Sequence, residues 1–256
     1  MDERQSKEQN RWTGHDGLGT VLGVWAHPDD EAYVSAGLMM RARADGERVV
    51  VVTATRGEAG VDVSAEPGRA PLATLREAEL AASLDQVGVT EHHWLPYRDG
   101  GLADVPRSEG VEAVARHLAA VRPDTIVTFG PDGLTGHDDH RTISDWTTRA
   151  WFAAGRPGRL WYATLTPEFH QTWDALNTEV GLWFAGSTPP VVPASELAHT
   201  VRLTGRPARR KFAALAAHTS QTAELIRVAG PRRYERWWSE EYFVDAAWHL
   251  DRVAAA

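Results

Sequence analysis

The sequence contains no cysteine among its 256 residues. Disulfides, thiolate zinc sites and a cysteine nucleophile are therefore excluded, and any bound metal must be held by His, Asp or Glu. No apolar stretch approaches the roughly 18 residues that a membrane-spanning helix needs. The first fourteen residues are charged and have no apolar core, so they do not form a signal peptide. We expect a disordered leader over residues 1–17 and a cytoplasmic protein.

Basic residues are also scarce, because 27 Lys and Arg face 35 Asp and Glu, for a net charge of -8. Nucleic-acid binding needs a concentrated basic face, so no nucleic-acid partner is expected. The one local basic cluster, at residues 206–211, is better explained as the solvated start of a helix. The ordinary content of hydrophobic residues, 43%, predicts a globular chain, with one domain over residues 18–256.

Short apolar runs alternate with stretches of helical spacing along most of the chain. The predicted strands are 20–26, 48–55, 92–97, 125–129 and 159–165, and the helices between them are 31–44, 70–88, 109–121 and 141–154. This alternation predicts an α/β fold with a doubly wound, mostly parallel sheet and helices on both faces. Five strand–helix pairs are too few for an eight-fold barrel. Residues 205–253 are predicted to be helical.

The turn after the first strand lacks the glycine pattern of a dinucleotide site. It reads Ala26-His27-Pro28-Asp29-Asp30-Glu31, which suits a cation better than a pyrophosphate. A second cluster, His137-Asp138-Asp139-His140, follows the fourth strand. Loops at the carboxyl edge of such sheets converge on one crevice. Either cluster alone is explained equally well as a helix cap or a surface pair, but the two together favour a catalytic metal site.

Together the two clusters resemble the signatures of the PIG-L/LmbE-like deacetylases. These are zinc-dependent enzymes of Rossmann-like fold that remove the N-acyl group from molecules containing N-acetylglucosamine. Residues 55–58, 76–80, 99–100 and 218–221 resemble further family blocks in the same order. The resemblance therefore covers about residues 20–245.

The resemblance implies a role for eight residues. The zinc ligands would be His27, Asp30 and His140, the general base Asp29, the stabiliser of the tetrahedral intermediate His137, its orienting partner Asp139, and the sugar contacts Arg76 and Asp99. The chain departs from the family pattern twice. Asp138 stands where Pro is common and adds a negative charge next to the site, and Thr135 stands where some relatives have Tyr.

The chemistry of amide hydrolysis agrees with these roles. Zinc lowers the pKa of a bound water toward about 7 and polarises the amide carbonyl. A carboxylate that is not a ligand must then take the proton, and Asp29 is placed for that task. The departing amine needs a proton, which Asp29 or His137 can supply. Pairing with Asp139 would favour the imidazolium form of His137.

Two other functions are compatible with the same residues. Two His and one Asp also form the facial triad of non-haem iron oxygenases, although the strand–helix alternation disfavours it. A non-catalytic sugar-binding relative is the second alternative, but it would not need both Asp29 and His137. We expect a small-molecule amino sugar or a glycosylated natural product as substrate, and a homo-oligomer is compatible with the sequence. Residues 58–70, 98–108 and 183–195 are expected to select the substrate, while the roles of Glu58 and His218 stay open.

Overall fold

The computed structural model describes residues 17–60 and 71–247. The predicted leader therefore lies outside the described residues, apart from Gly17. The strands are β1 (Val21–Trp25), β2 (Val49–Thr53), β3 (Glu91–Trp94), β4 (Thr125–Phe129), β5 (Arg159–Thr164), β6 (His199–Arg202) and β7 (Glu240–Asp245). They form one sheet in the order β3-β2-β1-β4-β5-β7-β6.

The helices connect these strands and extend the C-terminal part. They are α1 (Asp30–Val34), α2 (Ala36–Ala44), α3 (Leu72–Val87), α4 (Arg107–Val121), α5 (Asp138–Ala153), α6 (Pro167–Glu179), α7 (Gly205–Ala217), α8 (Thr219–Ala229) and α9 (Pro231–Trp237). α3 packs against α7, and α4 packs against α5. Because crossovers between parallel strands are right-handed, these two groups of helices cover opposite faces of the sheet.

The first five strands are parallel, as predicted, and the order of the sheet reverses at β1. Val21 of β1 pairs with Val49 of β2 on one side and with Thr125 of β4 on the other. All residues of β1, β2 and β4 are buried, as both faces of a parallel sheet require. The point between β1 and β4, where the strand order reverses, is the topological switch point of the sheet. The loops after β1 and β4 run in opposite directions from it, and a crevice opens between them.

The C-terminal prediction is partly wrong, because residues 205–253 are not all helical. After α7, α8 and α9, β7 enters the sheet antiparallel between β5 and β6. Its run Tyr242-Phe243-Val244 consists of aromatic and β-branched residues, which suit a strand. The predicted helix 31–44 is also two helices, separated at Ser35, whose φ is -143° and whose hydroxyl donates to the Glu31 carbonyl at 2.9 Å.

The basic cluster at 206–211 is only partly solvated, because Lys211 is 2% exposed. Its Nζ donates to Oε1 of the buried Glu241 at 2.7 Å. The same carboxylate accepts the backbone N–H groups of Gly37 and Leu38 at 2.6 and 2.9 Å. β7 therefore supplies the anion that satisfies the N-terminus of α2, the helix that follows the first site loop.

Candidate metal centre and active site

The two predicted loops meet at the switch point. Nδ1 of His27 lies 3.2 Å from Nε2 of His140. The Asp30 carboxylate lies beside both rings, with Oδ2 at 3.7 Å from His27 Nδ1 and Oδ1 at 3.4 Å from His140 Nε2. All three side chains are buried, and their donor atoms lie within 4.8 Å of one another. Residues 113 positions apart thus converge as the sheet topology predicts.

The other edge of the His27 ring is surrounded by carboxylates. Nε2 lies 2.9 Å from Asp99 Oδ1 and 3.3 Å from Asp139 Oδ2. Burial lowers the pKa of His27, but the hydrogen bonds to Asp139 and Asp99 and the charge of Asp30 outweigh it and raise that pKa to about 10. A carboxylate on the far nitrogen is the usual partner of a metal-bound histidine, since it fixes the ring and its tautomer.

His140 is oriented by the backbone. Its Nδ1–H donates to the Gly133 carbonyl at 3.0 Å, and its ring stacks on Phe129 with centroids 4.0 Å apart. Burial and the neighbouring His27 and His137 hold its pKa well below the usual value of histidine. The ring is therefore neutral, and its Nε2 lone pair faces His27 and Asp30.

The donor set fits a divalent cation. Two imidazole nitrogens and one carboxylate oxygen suit zinc, and three protein ligands leave a position for a reacting group. A second combination, His27 with His137 and Asp139, also brings three donor atoms within 4.8 Å. In that set Nδ1 of His137 already accepts the backbone N–H of Asp139 at 3.0 Å. The first combination is better arranged, because each ring has a separate partner on its far nitrogen.

Asp29 has an unusual backbone conformation beside this centre. Its φ of 102° lies in the region that L-residues rarely adopt, and such strain is concentrated at functional positions. It is the N-cap residue that precedes α1, but its side chain forms no capping hydrogen bond. The Asp29 carboxylate therefore does not serve as a helix cap, which was the alternative explanation for this residue. Burial raises the pKa of Asp29, while the charge of Arg76 acts in the opposite direction.

Arg76 contacts the first site loop directly. Its Nη2 donates to Asp29 Oδ2 at 3.1 Å and also to the Pro28 carbonyl, and its Nη1 donates to the Gly57 carbonyl at 3.0 Å. Gly57 has a φ of 66°, and a Cβ there would lie 2.0 Å from Arg76 Nη1. The predicted sugar contact therefore lines the cavity, but its hydrogen bonds hold Asp29 and its loop.

A buried pair supports the strained backbone of Asp29 from behind. Glu31 Oε2 accepts the Asp29 N–H at 3.1 Å, and Glu31 Oε1 lies 3.2 Å from Nε2 of His218. His218, whose role the sequence leaves open, is fully buried. Burial lowers the pKa of His218, but the hydrogen bond and charge of Glu31 outweigh it and raise that pKa. The link spans 187 residues and joins the start of α8 to the first site loop.

Replacing His218 with leucine should destabilise the fold by about 3–5 kcal/mol, because it removes the imidazole that pairs with the fully buried Glu31 carboxylate. Urea unfolding measures this change in the free energy of unfolding. His117→Leu, at a half-buried position of α4, provides a control and should change that free energy little. Equal stabilities of the two variants would contradict a structural role for the pair.

His137 and Asp139 contact each other in a different way from the sequence prediction. The Asp139 backbone N–H donates to His137 Nδ1, whereas its carboxylate faces His27 and accepts the N–H groups of Gly100 and Leu102 at 2.8 and 3.1 Å. Burial, followed by the charge of His27, lowers the pKa of His137, so the predicted imidazolium is not favoured. A neutral ring that accepts at Nδ1 carries its proton on Nε2.

Asp99 also differs from a simple sugar contact, because it holds His27. Its other carboxylate oxygen, Oδ2, accepts the Ala59 N–H at 2.8 Å. Glu58, whose role the sequence leaves open, accepts the Asp99 N–H at 3.0 Å. The two bonds join the loops after β2 and β3. Burial raises the pKa of Asp99, but its hydrogen bond to His27 outweighs this and lowers that pKa to about 2.

The two departures from the family pattern have limited consequences for the centre. Asp138 is exposed, and it pairs with Arg141 at 3.3 Å on the outside of α5. Its charge therefore faces solvent. Thr135 lines the cavity, and its hydroxyl lies 3.4 Å from His140 Nδ1.

A cavity of about 690 Å³ opens over this centre. Seven of the eight predicted site residues line this cavity. The eighth, Asp139, lies behind His27. Within residues 17–60 and 71–247, every helix falls short of the length or the apolar content that a membrane span requires. A buried metal-binding triad with an adjacent carboxylate, at the switch point of a doubly wound sheet, is typical of a metal-dependent hydrolase.

Comparison with known proteins gives the family. The model of the GlcNAc-PI de-N-acetylase family (PIG-L) matches residues 22–151, just over half of the chain. A 1D-myo-inositol 2-acetamido-2-deoxy-α-D-glucopyranoside deacetylase of Kineococcus radiotolerans is 33% identical, over 82% of this chain and 71% of the relative. The chain belongs to the PIG-L family, as the resemblance of its two signatures implies.

Solved structures share the fold. The N,N'-diacetylchitobiose deacetylase of Pyrococcus horikoshii matches with a TM-score of 0.57 and 22% identity, covering 88% of this chain and 83% of that one. GalB, a 4-carboxy-2-hydroxymuconate hydratase of Pseudomonas putida KT2440, matches with a TM-score of 0.59 and 14% identity, covering 90% and 96%. A hydratase on the same fold means that the fold alone does not define the reaction.

Proposed function

We propose that this protein is a metal-dependent deacetylase that hydrolyses the N-acetyl group of an N-acetylglucosamine-type amino sugar in a small molecule. The observation that carries the proposal is the meeting of His27, Asp30 and His140, with Asp29 next to them in the same cavity but outside the donor set. The curated relative named above acts on such a sugar. We further propose zinc as the metal, because the donor set consists of two imidazoles and one carboxylate.

The metal, when bound by His27, Asp30 and His140, would polarise the amide carbonyl and make water a stronger nucleophile. Asp29 takes one proton from the attacking water and returns it to the nitrogen as the C–N bond breaks, so that acetic acid and a free amine result. The acid then loses the second proton of the water to solvent and leaves as acetate. Arg76 holds Asp29 Oδ2 and leaves Oδ1 to handle the proton.

His137 acts on the carbonyl oxygen. Since Nδ1 accepts the Asp139 N–H, Nε2–H is the group available to donate to the developing negative charge. Asp139 and Asp99 do not touch the substrate in this scheme. They are positioning residues, because their carboxylates orient the far nitrogen of His27.

The direct test is amine release from methyl N-acetyl-β-glucosaminide by the purified protein, detected with an amine-reactive fluorophore. We expect activity that a chelator removes and that zinc restores. Oxygen uptake, measured in parallel with iron, should be absent. Activity that is indifferent to the chelator would contradict the metal, and oxygen consumption would favour the oxygenase. Binding of the sugar without amine release would favour the non-catalytic relative.

A further inference from the structure

One side of the cavity is apolar, in contrast to the polar side at the metal centre. The segment that follows α6 contributes Val180, Leu182 and Phe184, which alternate along the chain and all line the cavity. The Leu182 N–H donates to the Asn177 carbonyl at 2.9 Å, and the Phe184 N–H donates to the Thr135 carbonyl at 3.0 Å. These bonds fix the segment against α6 and against the second site loop.

Phe184 lines the cavity and is 52% exposed, so part of its ring faces solvent. Its ring meets the His137 ring edge to face, with centroids 4.7 Å apart. His137 is the proposed donor to the carbonyl oxygen. A group that packs on Phe184 therefore lies close to the amide that is cleaved.

Two further apolar side chains come from the C-terminal helices. Leu225 of α8 and Trp238, just after α9, line the same cavity. Trp238 is itself buried and meets the Tyr33 ring edge to face at 4.8 Å. The volume of about 690 Å³ falls within the roughly 300–1,000 Å³ of sites that enclose drug-sized ligands.

On the basis of the proposed function, we propose that the substrate carries an apolar group next to the acylated amino sugar, and that Val180, Leu182, Phe184, Leu225 and Trp238 bind it. A hydroxyl buried against the side chains of Val180, Leu182, Phe184 and Leu225 would lose its hydrogen bonds to water without gaining a partner from them, which is costly. The one polar side-chain atom of the five residues is the buried Nε1 of Trp238. The inositol named for the Kineococcus relative is rich in hydroxyls and does not match this wall. The apolar group is either an aglycone or an N-acyl chain longer than acetyl.

Three substrates distinguish these sources. Methyl N-acetyl-β-glucosaminide is the reference, hexyl N-acetyl-β-glucosaminide tests the aglycone, and methyl N-octanoyl-β-glucosaminide tests the acyl chain. We expect kcat/KM for one of the two extended substrates to exceed the reference at least tenfold. Removing roughly 60 Å² of apolar surface from water gives about that factor at roughly 25 cal/mol per Å².

Phe184→Ala and Leu182→Ala should each lower the preference for the extended substrate, measured as its kcat/KM divided by that of the reference, several-fold. Phe152→Ala provides a matched control, because Phe152 is also an exposed phenylalanine but lies at the far end of α5, away from the cavity lining. It should leave all three rates unchanged. If the reference is hydrolysed and neither extended substrate is preferred, the apolar subsite is wrong while the proposed function stands.

A binding measurement keeps the inference testable even if none of the three substrates is hydrolysed, which would contradict the proposed function instead. Calorimetry compares hexyl and methyl 2-amino-2-deoxy-β-glucoside, the free amines. The hexyl compound should bind at least tenfold more tightly, and Phe184→Ala should reduce this difference. The same calorimetry compares the hexyl and octanoyl amides with the methyl N-acetyl reference. If the two amines bind equally well, and if neither extended amide binds more tightly than the reference, the inference is overturned.

Discussion

Replacing Asp29 with asparagine is expected to lower kcat by about 10²–10⁴-fold, the usual contribution of a general acid–base group. Asparagine keeps the size of the side chain and tolerates positive φ better than most residues, so the backbone at φ 102° can persist. Alanine would remove the proton carrier as well, but it would add backbone strain to the effect. Steady-state amine release measures the change.

Metal content separates this outcome from loss of the centre. Asp29 is outside the group of three donors, so the variant should hold as much metal per chain as the unchanged protein, by elemental analysis after dialysis. Asp138→Asn is the matched control, because that carboxylate belongs to the second loop but faces solvent. An Asp29→Asn variant with unchanged kcat would remove the residue from the mechanism.

The convergence of the two loops could be predicted because it depends on topology alone. Strands of alternating α/β pattern are parallel, and their carboxyl ends meet at one edge. His27 and His140 follow two such strands, and the structure places their nitrogens 3.2 Å apart. No knowledge of side-chain packing was needed to reach that point.

The partners of these residues could not be predicted in the same way. Which carboxylate reaches Nε2 of His27 depends on how the loops after β3 and β4 fold against each other, over distances of a few ångströms. Asp99 and Asp139 both reach it, and Arg76 reaches Asp29 through a gap that Gly57 leaves open. Spacing along the chain contains no such information.

β7 shows a different limit. Six residues, of which three are strong strand formers, follow directly on three helices, and such a short run is ambiguous by periodicity. A glutamate such as Glu241 is unexpected in a buried strand, but Lys211 and the N-terminus of α2 neutralise and bind its carboxylate. Only the tertiary structure supplies those partners.

Replacing His140 with alanine is expected to abolish turnover through loss of the metal. It removes one of the two imidazole nitrogens of the proposed centre and leaves only His27 and Asp30. We expect metal affinity to fall by more than about 100-fold, which is the upper end of the effect of changing an outer-shell partner. Titration of the metal-free protein with zinc against a competing chelator measures this affinity directly, whether or not any substrate is turned over.

His137→Ala is the control that decides between the two groups of possible ligands. If His27, Asp30 and His140 bind the metal, this variant keeps one metal per chain and loses about 10²–10³-fold in kcat, as expected for a lost oxyanion donor. If His27, His137 and Asp139 bind it, the His137 variant loses the metal and the His140 variant keeps it.

Thermal unfolding of both metal-free variants identifies any loss of folding, which matters most at His140 because its ring packs flat on Phe129. A folded His140→Ala variant with undiminished zinc affinity would show that the centre is built from other residues.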